Sequence, residues 1–158
     1  IRDYKVTGVQ TCALPIFQGQ NMFTSQQALK QYSNVEQNVQ AEFATPHQLT
    51  KMLFSGVLRA LAIAETAMKQ KQFQLKGEQL ARAINIIEGL DDSLDMEKGG
   101  ELAENLGGLY QYMVQRLYKS SFDNDPVIVR EVSSLLREIS SAWDQIPVQE
   151  RNKTSVMK

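Results

Sequence analysis

From Thr45 onward, apolar residues recur every three to four positions in four separate stretches, and polar or proline-bearing intervals divide them. Thr45 before Pro46 reads as a helix cap followed by the residue best suited to the first helical position. Behind it Leu49, Met52, Leu53, Gly56, Val57, Ala60, Ile63, Ala64 and Ala67 step by three and four, predicting one buried face about five turns long. Its second half is small, which lets a neighbouring helix approach closely. A polar interval, Lys69 to Gly77, leaves the start of the second helix open; its stripe is Leu80, Ala83, Ile84, Ile87, Leu90 and Leu94.

The acidic, glycine-ended stretch Asp91 to Gly100 predicts a turn. A third helix then opens at Glu101 and Glu104, whose charge suits a helix N-terminus, with Leu102, Leu106, Leu109, Tyr110, Met113 and Leu117 as its face. Arg116 and Lys119 have the sign that favours its other end. Asp125 before Pro126 repeats the capped start, and Ile128, Val132, Leu135, Leu136, Ile139, Trp143 and Ile146 form the cleanest period before Pro147 stops it. All four prolines fall outside helix interiors, and no convincing two-residue alternation is present. The class is all-α. Short connections favour an antiparallel four-helix bundle, with an additional N-terminal helical or extended segment.

That segment, Ser25 to Phe43, carries few large apolar side chains: Leu29, Tyr32, Val35, Val39 and Phe43. It is expected to lie against the bundle without entering the core. Ile1 to Phe17 reads IRDYKVTGVQTCALPIF, has no helical period, and resembles the in-frame translation of a sequencing adapter. Residues 1–21 are therefore expected to be a non-native or disordered extension, with Met22 as a natural start, 22–147 the bundle domain, and 148–158 a disordered tail.

Composition narrows the function classes. Seventeen Lys and Arg against 18 Asp and Glu leave a formal charge of −1, so no basic field exists for nucleic acid. One cysteine, Cys12, and one histidine, His47, cannot supply a four-ligand zinc site, a disulfide framework, or paired Glu-x-x-His iron ligands. No apolar run reaches the roughly 18 residues of a membrane span, so the expectation is a soluble, intracellular protein.

Candidate chemistry is sparse. His47 reads as a surface residue in a first turn, and Asp91, Asp92, Asp95 and Glu97 as a solvated acidic turn without the calcium-loop spacing. The glycine pairs Gly99-Gly100 and Gly107-Gly108 match no phosphate loop. No catalysis, cofactor or metal is expected. Tyr110 and Tyr112 lie about 200° apart on their helix, so both cannot face one core. An outward Tyr112 or Tyr118 suits either an interface or an ordinary boundary position.

The strings Thr45-Pro46-His47-Gln48-Leu49, Met52-Leu53-Phe54-Ser55-Gly56, Lys76-Gly77, Ala83-Ile84-Asn85-Ile86-Ile87-Glu88, Ser93-Leu94-Asp95 and Gly99-Gly100-Glu101-Leu102-Ala103 follow one another in order. Asn105-Leu106, Leu109-Tyr110-Gln111-Tyr112-Met113, Arg116-Leu117, Glu131-Val132 and Trp143 complete the set. From about Met22 to Ile146 this order and spacing resembles the flagellar secretion chaperone FliS family. The resemblance implies a non-catalytic cytoplasmic bundle that binds the disordered C-terminal region of flagellin. It further implies that the protein blocks premature polymerisation and delivers its cargo to the type III export gate, a membrane component met when client-loaded. It also implies client-binding roles for Tyr32, for Leu49, Met52 and Leu53, and for Tyr110, Tyr112 and Met113, without separating client-facing from core side chains. Ser55 stands where the family commonly has aspartate, so this chain carries no carboxylate there. The alternative is a helical-bundle adaptor, or a self-associating structural protein, that binds no flagellin.

Overall fold

The computed structural model describes residues 44–151, which fall within one compact unit of the chain. The expectations for residues 1–21, for Ser25 to Phe43 with Tyr32, and for the tail beyond Arg151 lie outside the described residues. Four helices follow in order: α1 (Pro46–Lys69), α2 (Phe73–Asp92), α3 (Met96–Asp123) and α4 (Pro126–Asp144), with no strand among the described residues. Connections of two or three residues leave consecutive helices no choice but to pack antiparallel, as an all-α four-helix bundle.

Each helix start follows from its cap. The Thr45 hydroxyl accepts from the Gln48 amide while the Gln48 side chain accepts from the Thr45 amide, so two otherwise unpaired N–H groups each gain a side-chain acceptor. The Asp95 carboxylate accepts from the Glu97 and Lys98 amides, and Asp125 from the Val127 amide at 2.8 Å. Asp95 is thus a buried cap rather than part of a solvated acidic turn. The helix α3 is interrupted at Gly100, where φ 50° and ψ −132° describe a conformation only glycine tolerates well. Helical geometry resumes at Glu101, the start that the charge pattern predicts, and the first turn from Met96 is an added lead-in.

The interior is filled by Phe54, Val57, Leu61 and Ala64 from α1, Leu80, Ala83, Ile87 and Leu90 from α2, Tyr110, Met113 and Leu117 from α3, and Val129, Val132 and Leu136 from α4. Small residues set the spacing of α1 and α2: a Cβ at Gly56 would already stand 3.6 Å from the Ile86 Cδ1. The stripe on α2 is as the sequence pattern predicts, but the helix begins at Phe73, inside the interval read as polar. Lys76 ties that interval to α3. Its stem is buried and its ammonium donates to the Ser121 carbonyl at 3.1 Å and Asn124 Oδ1 at 3.2 Å, meeting the negative end of α3.

Two faces differ from expectation. On α1 the buried face is rotated, with Phe54, Leu61 and Met68 in the core, Ile63 exposed, and Leu49, Met52, Leu53 and Gly56 half-buried along one flank. Phe54, Leu61 and Met68 share a side with the buried Val57, Ala60, Ala64 and Ala67, and together they carry enough apolar surface to turn that side inward. On α3 Leu102 and Leu109 face outward, and their places are taken by Ala103 and Gly107, which bring α3 close to α2.

His47 is likewise buried rather than a surface residue. The Trp143 indole N–H donates to the His47 carbonyl at 3.1 Å, and His47 Nε2 lies 2.9 Å from the Trp143 carbonyl. A carbonyl only accepts, so Nε2 carries the proton. The two rings stack at 5.2 Å with 12° between planes, and Phe54 meets the indole edge-on. Beyond α4, Val148 to Arg151 form a turn closed on the Pro147 carbonyl.

Two predictions follow from this packing. Trp143→Phe keeps a ring but removes the indole donor, and should cost about 1–2 kcal/mol in urea denaturation. Gly100→Ala should lose about 1–3 kcal/mol from its positive φ, whereas Gly108→Ala, an exposed helical site with open space around its Cβ, should gain about 0.4–1 kcal/mol. Equal shifts of one sign in the two glycine variants would refute the backbone argument.

Candidate functional site

The residues singled out from the sequence divide cleanly by position. Tyr110 and Met113 are core side chains, 1% and 0% exposed, and burial pushes the Tyr110 phenol well above its ordinary pKa, with the nearby Asp91 charge adding to it. Leu49, Met52 and Leu53 are half-buried near the start of α1. Tyr112 stands outside the core, 43% exposed.

Leu102, 53% exposed, and Leu109, 38% exposed, lie on the same side of α3 as half-buried Leu106. This flank faces α4, because Tyr112 and Arg116 further along α3 both reach Glu131. The antiparallel register set by that meeting runs half-buried Leu135 and Ile139 of α4 alongside the α3 leucines. The result is an open apolar groove between α3 and α4. The sequence pattern assigned Leu102 and Leu109 to the core. That stripe spans only about 100° of the helix circumference, the width of an ordinary core face, so the spacing alone does not mark Leu102 and Leu109 as surplus.

One end of the groove is polar. The Tyr112 hydroxyl donates to Glu131 Oε1 at 2.5 Å, while Arg116 donates to Glu131 Oε2 from Nη2 at 2.5 Å and Nε at 3.1 Å. Hydrogen bonds from Arg116 first and Tyr112 second hold the Glu131 carboxyl below the usual carboxylate range. The same bond to Glu131 is the foremost cause that raises the Tyr112 phenol. Elsewhere Glu65 is paired with Lys69 at 2.6 Å and Arg130 at 3.0 Å, and Lys51 with Asp144 at 2.9 Å, both fastening α1 to α4 on the opposite side.

This surface offers shape and apolar area rather than reactive chemistry. Among the described residues no group of three or more His, Cys, Asp and Glu is placed to hold a metal ion, and no helix is long and apolar enough to cross a membrane. Ser55 is exposed and its hydroxyl donates to the Lys51 carbonyl within its own helix.

Residues 28–150 match the family model described as Flagellar protein FliS. The chain is 46% identical to the flagellar secretion chaperone FliSB of Pseudomonas aeruginosa over 119 residues, covering 75% of this chain and 94% of the relative. It is 44% identical to the flagellar secretion chaperone FliS of Salmonella typhimurium over 126 residues, 79% of this chain and 93% of the relative. With the FliS of Vibrio cholerae the identity is 39% over 128 residues, 81% and 94% of the two chains.

The Glu131 bonds set a pH dependence. Because the folded pKa lies below the ordinary value of 4.5, the contribution to stability is fully present above that pH and is lost as pH falls through the lower folded pKa. Glu131→Gln should therefore be less stable than the parent at neutral pH, with the gap closing below about pH 4 in denaturation measured across pH. A gap that stays constant or widens in acid would contradict the assignment.

Proposed function

This chain belongs to the flagellar protein FliS family, and from that membership we propose that it binds the disordered C-terminal region of flagellin, holds it from premature polymerisation and delivers it to the flagellar export apparatus. The family itself supports a chaperone role in flagellar export; the client and the delivery step are the proposal. The observation that carries it is the groove between α3 and α4, where Leu102 and Leu109 stand in the open beside Tyr112.

Large apolar side chains aligned along one seam of a bundle are suited to receive an amphipathic helix, which lays its own apolar face into the groove. A disordered client that folds as it binds loses part of the contact energy to ordering, about 2–5 kcal/mol, so a broad surface need not bind irreversibly. That balance suits a carrier, which has to release its cargo. The flank of α1 with Leu49, Met52 and Leu53 gives a second apolar edge over which a long client segment continues. Tyr32 keeps the client-contact role that the family resemblance implies. The membrane component of the export gate would be met only by the loaded complex, in the bacterial cytosol.

Calorimetric titration of the full chain with a peptide covering the C-terminal region of flagellin from the same source tests this reading. Saturable 1:1 binding with a negative heat-capacity change is expected, as apolar surface is buried. Leu102→Asp, at a site already open to water, should leave the melt nearly unchanged and weaken binding more than tenfold, since a carboxylate cannot be buried unpaired. A folded parent that ignores the peptide at high micromolar concentration, or self-associates instead, would refute the proposal.

A further inference from the structure

Resting on the reading that the α3–α4 groove receives the client, we infer that Glu131 and Arg116 are positioning residues that hold the Tyr112 ring as the end wall of that groove. An exposed tyrosine on a helix exterior ordinarily exchanges rotamers within nanoseconds. Here the ring is tied by its far atom to another helix: the hydroxyl donates to Glu131, 19 residues away in sequence.

Glu131 in turn is not free to follow the ring. Its second oxygen accepts two hydrogen bonds from Arg116, one turn beyond Tyr112 on the same helix, so the carboxylate is gripped from two points of α3. Both Arg116 N–H groups converge on Oε2 while the Tyr112 hydroxyl takes Oε1, so each carboxylate oxygen is held, and the Arg116 bonds are charge-assisted. Arg116 and Glu131 side chains are both only about one-third exposed, 27% and 34%, as is consistent with an ordered pair rather than two waving charges. Their charges cancel at the groove's end. What remains for a client is the face of an aromatic ring in a set orientation, continuous with Leu109 and suited to an apolar or aromatic client side chain.

Holding the ring before the client arrives removes an ordering cost from binding. If release leaves the ring in place only about one-third to one-tenth of the time, affinity falls roughly three- to tenfold, the inverse of the competent fraction. The ring and the tether are separable: Tyr112→Phe keeps the apolar wall and cuts the tether at one end, and Glu131→Gln weakens it at the other.

The test titrates the flagellin C-terminal peptide into the full-length parent, Tyr112→Phe, Glu131→Gln and the double variant, each with its melting curve. The expected result is a three- to tenfold loss in each single variant and a double variant no weaker than the weaker single, because both changes cut one tether. Unchanged affinity in Tyr112→Phe, losses that multiply in the double variant, or lowered melting temperatures with parental affinity would each overturn the inference. In those cases the parent still binds, and the client reading stands. A parent that fails to bind overturns both.

Discussion

Closure of the bundle between its first and last helices is the constraint on which the rest depends. Helices α1 and α4 are far apart in sequence, and the bonds joining them span 96 residues, so nothing local brings them together. The joint is reciprocal: each of His47 and Trp143 engages the other's backbone carbonyl, and the rings stack. Lys51 to Asp144 and Glu65 to Arg130 extend the seam along the two helices. With α1 and α4 fastened, Val57 and Leu61 of α1 and Val132 and Leu136 of α4 are all buried in the interior that α2 and α3 complete.

The opposite side of α4 is left lightly sealed. There α3 contributes leucines that a closed bundle would bury, and the polar link among Tyr112, Arg116 and Glu131 joins the two helices beyond the leucines. One side of α4 is therefore bonded along its length and the other is apolar and open. Such an asymmetry has a direct use in a chaperone, whose client has to meet surface that is already arranged yet still exposed. The break at Gly100 serves the same end, because it lets the first turn of α3 follow the Asp95 cap while the helix from Glu101 runs on its own axis.

Much of this was legible in the sequence, for identifiable reasons. Caps and prolines are local chemistry, so Thr45-Pro46 and Asp125-Pro126 announced their helices, and Tyr110 and Tyr112 were bound to part by helix geometry alone. The family resemblance, carried by strings from Thr45 to Trp143, was borne out by the match over residues 28–150. Periodicity, however, reports which residues share a face and not how much of that face is covered. Leu102 and Leu109 share the side of α3 that flanks its core, and only the placement of α4 leaves them open. His47 escaped for another reason: its partner is a backbone carbonyl nearly a hundred residues away, a contact that leaves no spacing to detect. The tether on Tyr112 was invisible in the same way, although Arg116 and Glu131 were both noticed for other properties.

The central claim is that client binding concentrates in the α3–α4 groove. Methyl NMR of leucine-labelled protein, with and without the flagellin C-terminal peptide, examines it most directly. The account predicts large shifts at Leu102, Leu106, Leu109 and Leu135, with the buried methyls of Leu61, Leu80 and Leu90 nearly still. Shifts confined to the opposite end of the bundle, around Leu75, with the α3–α4 leucines unmoved, would contradict it.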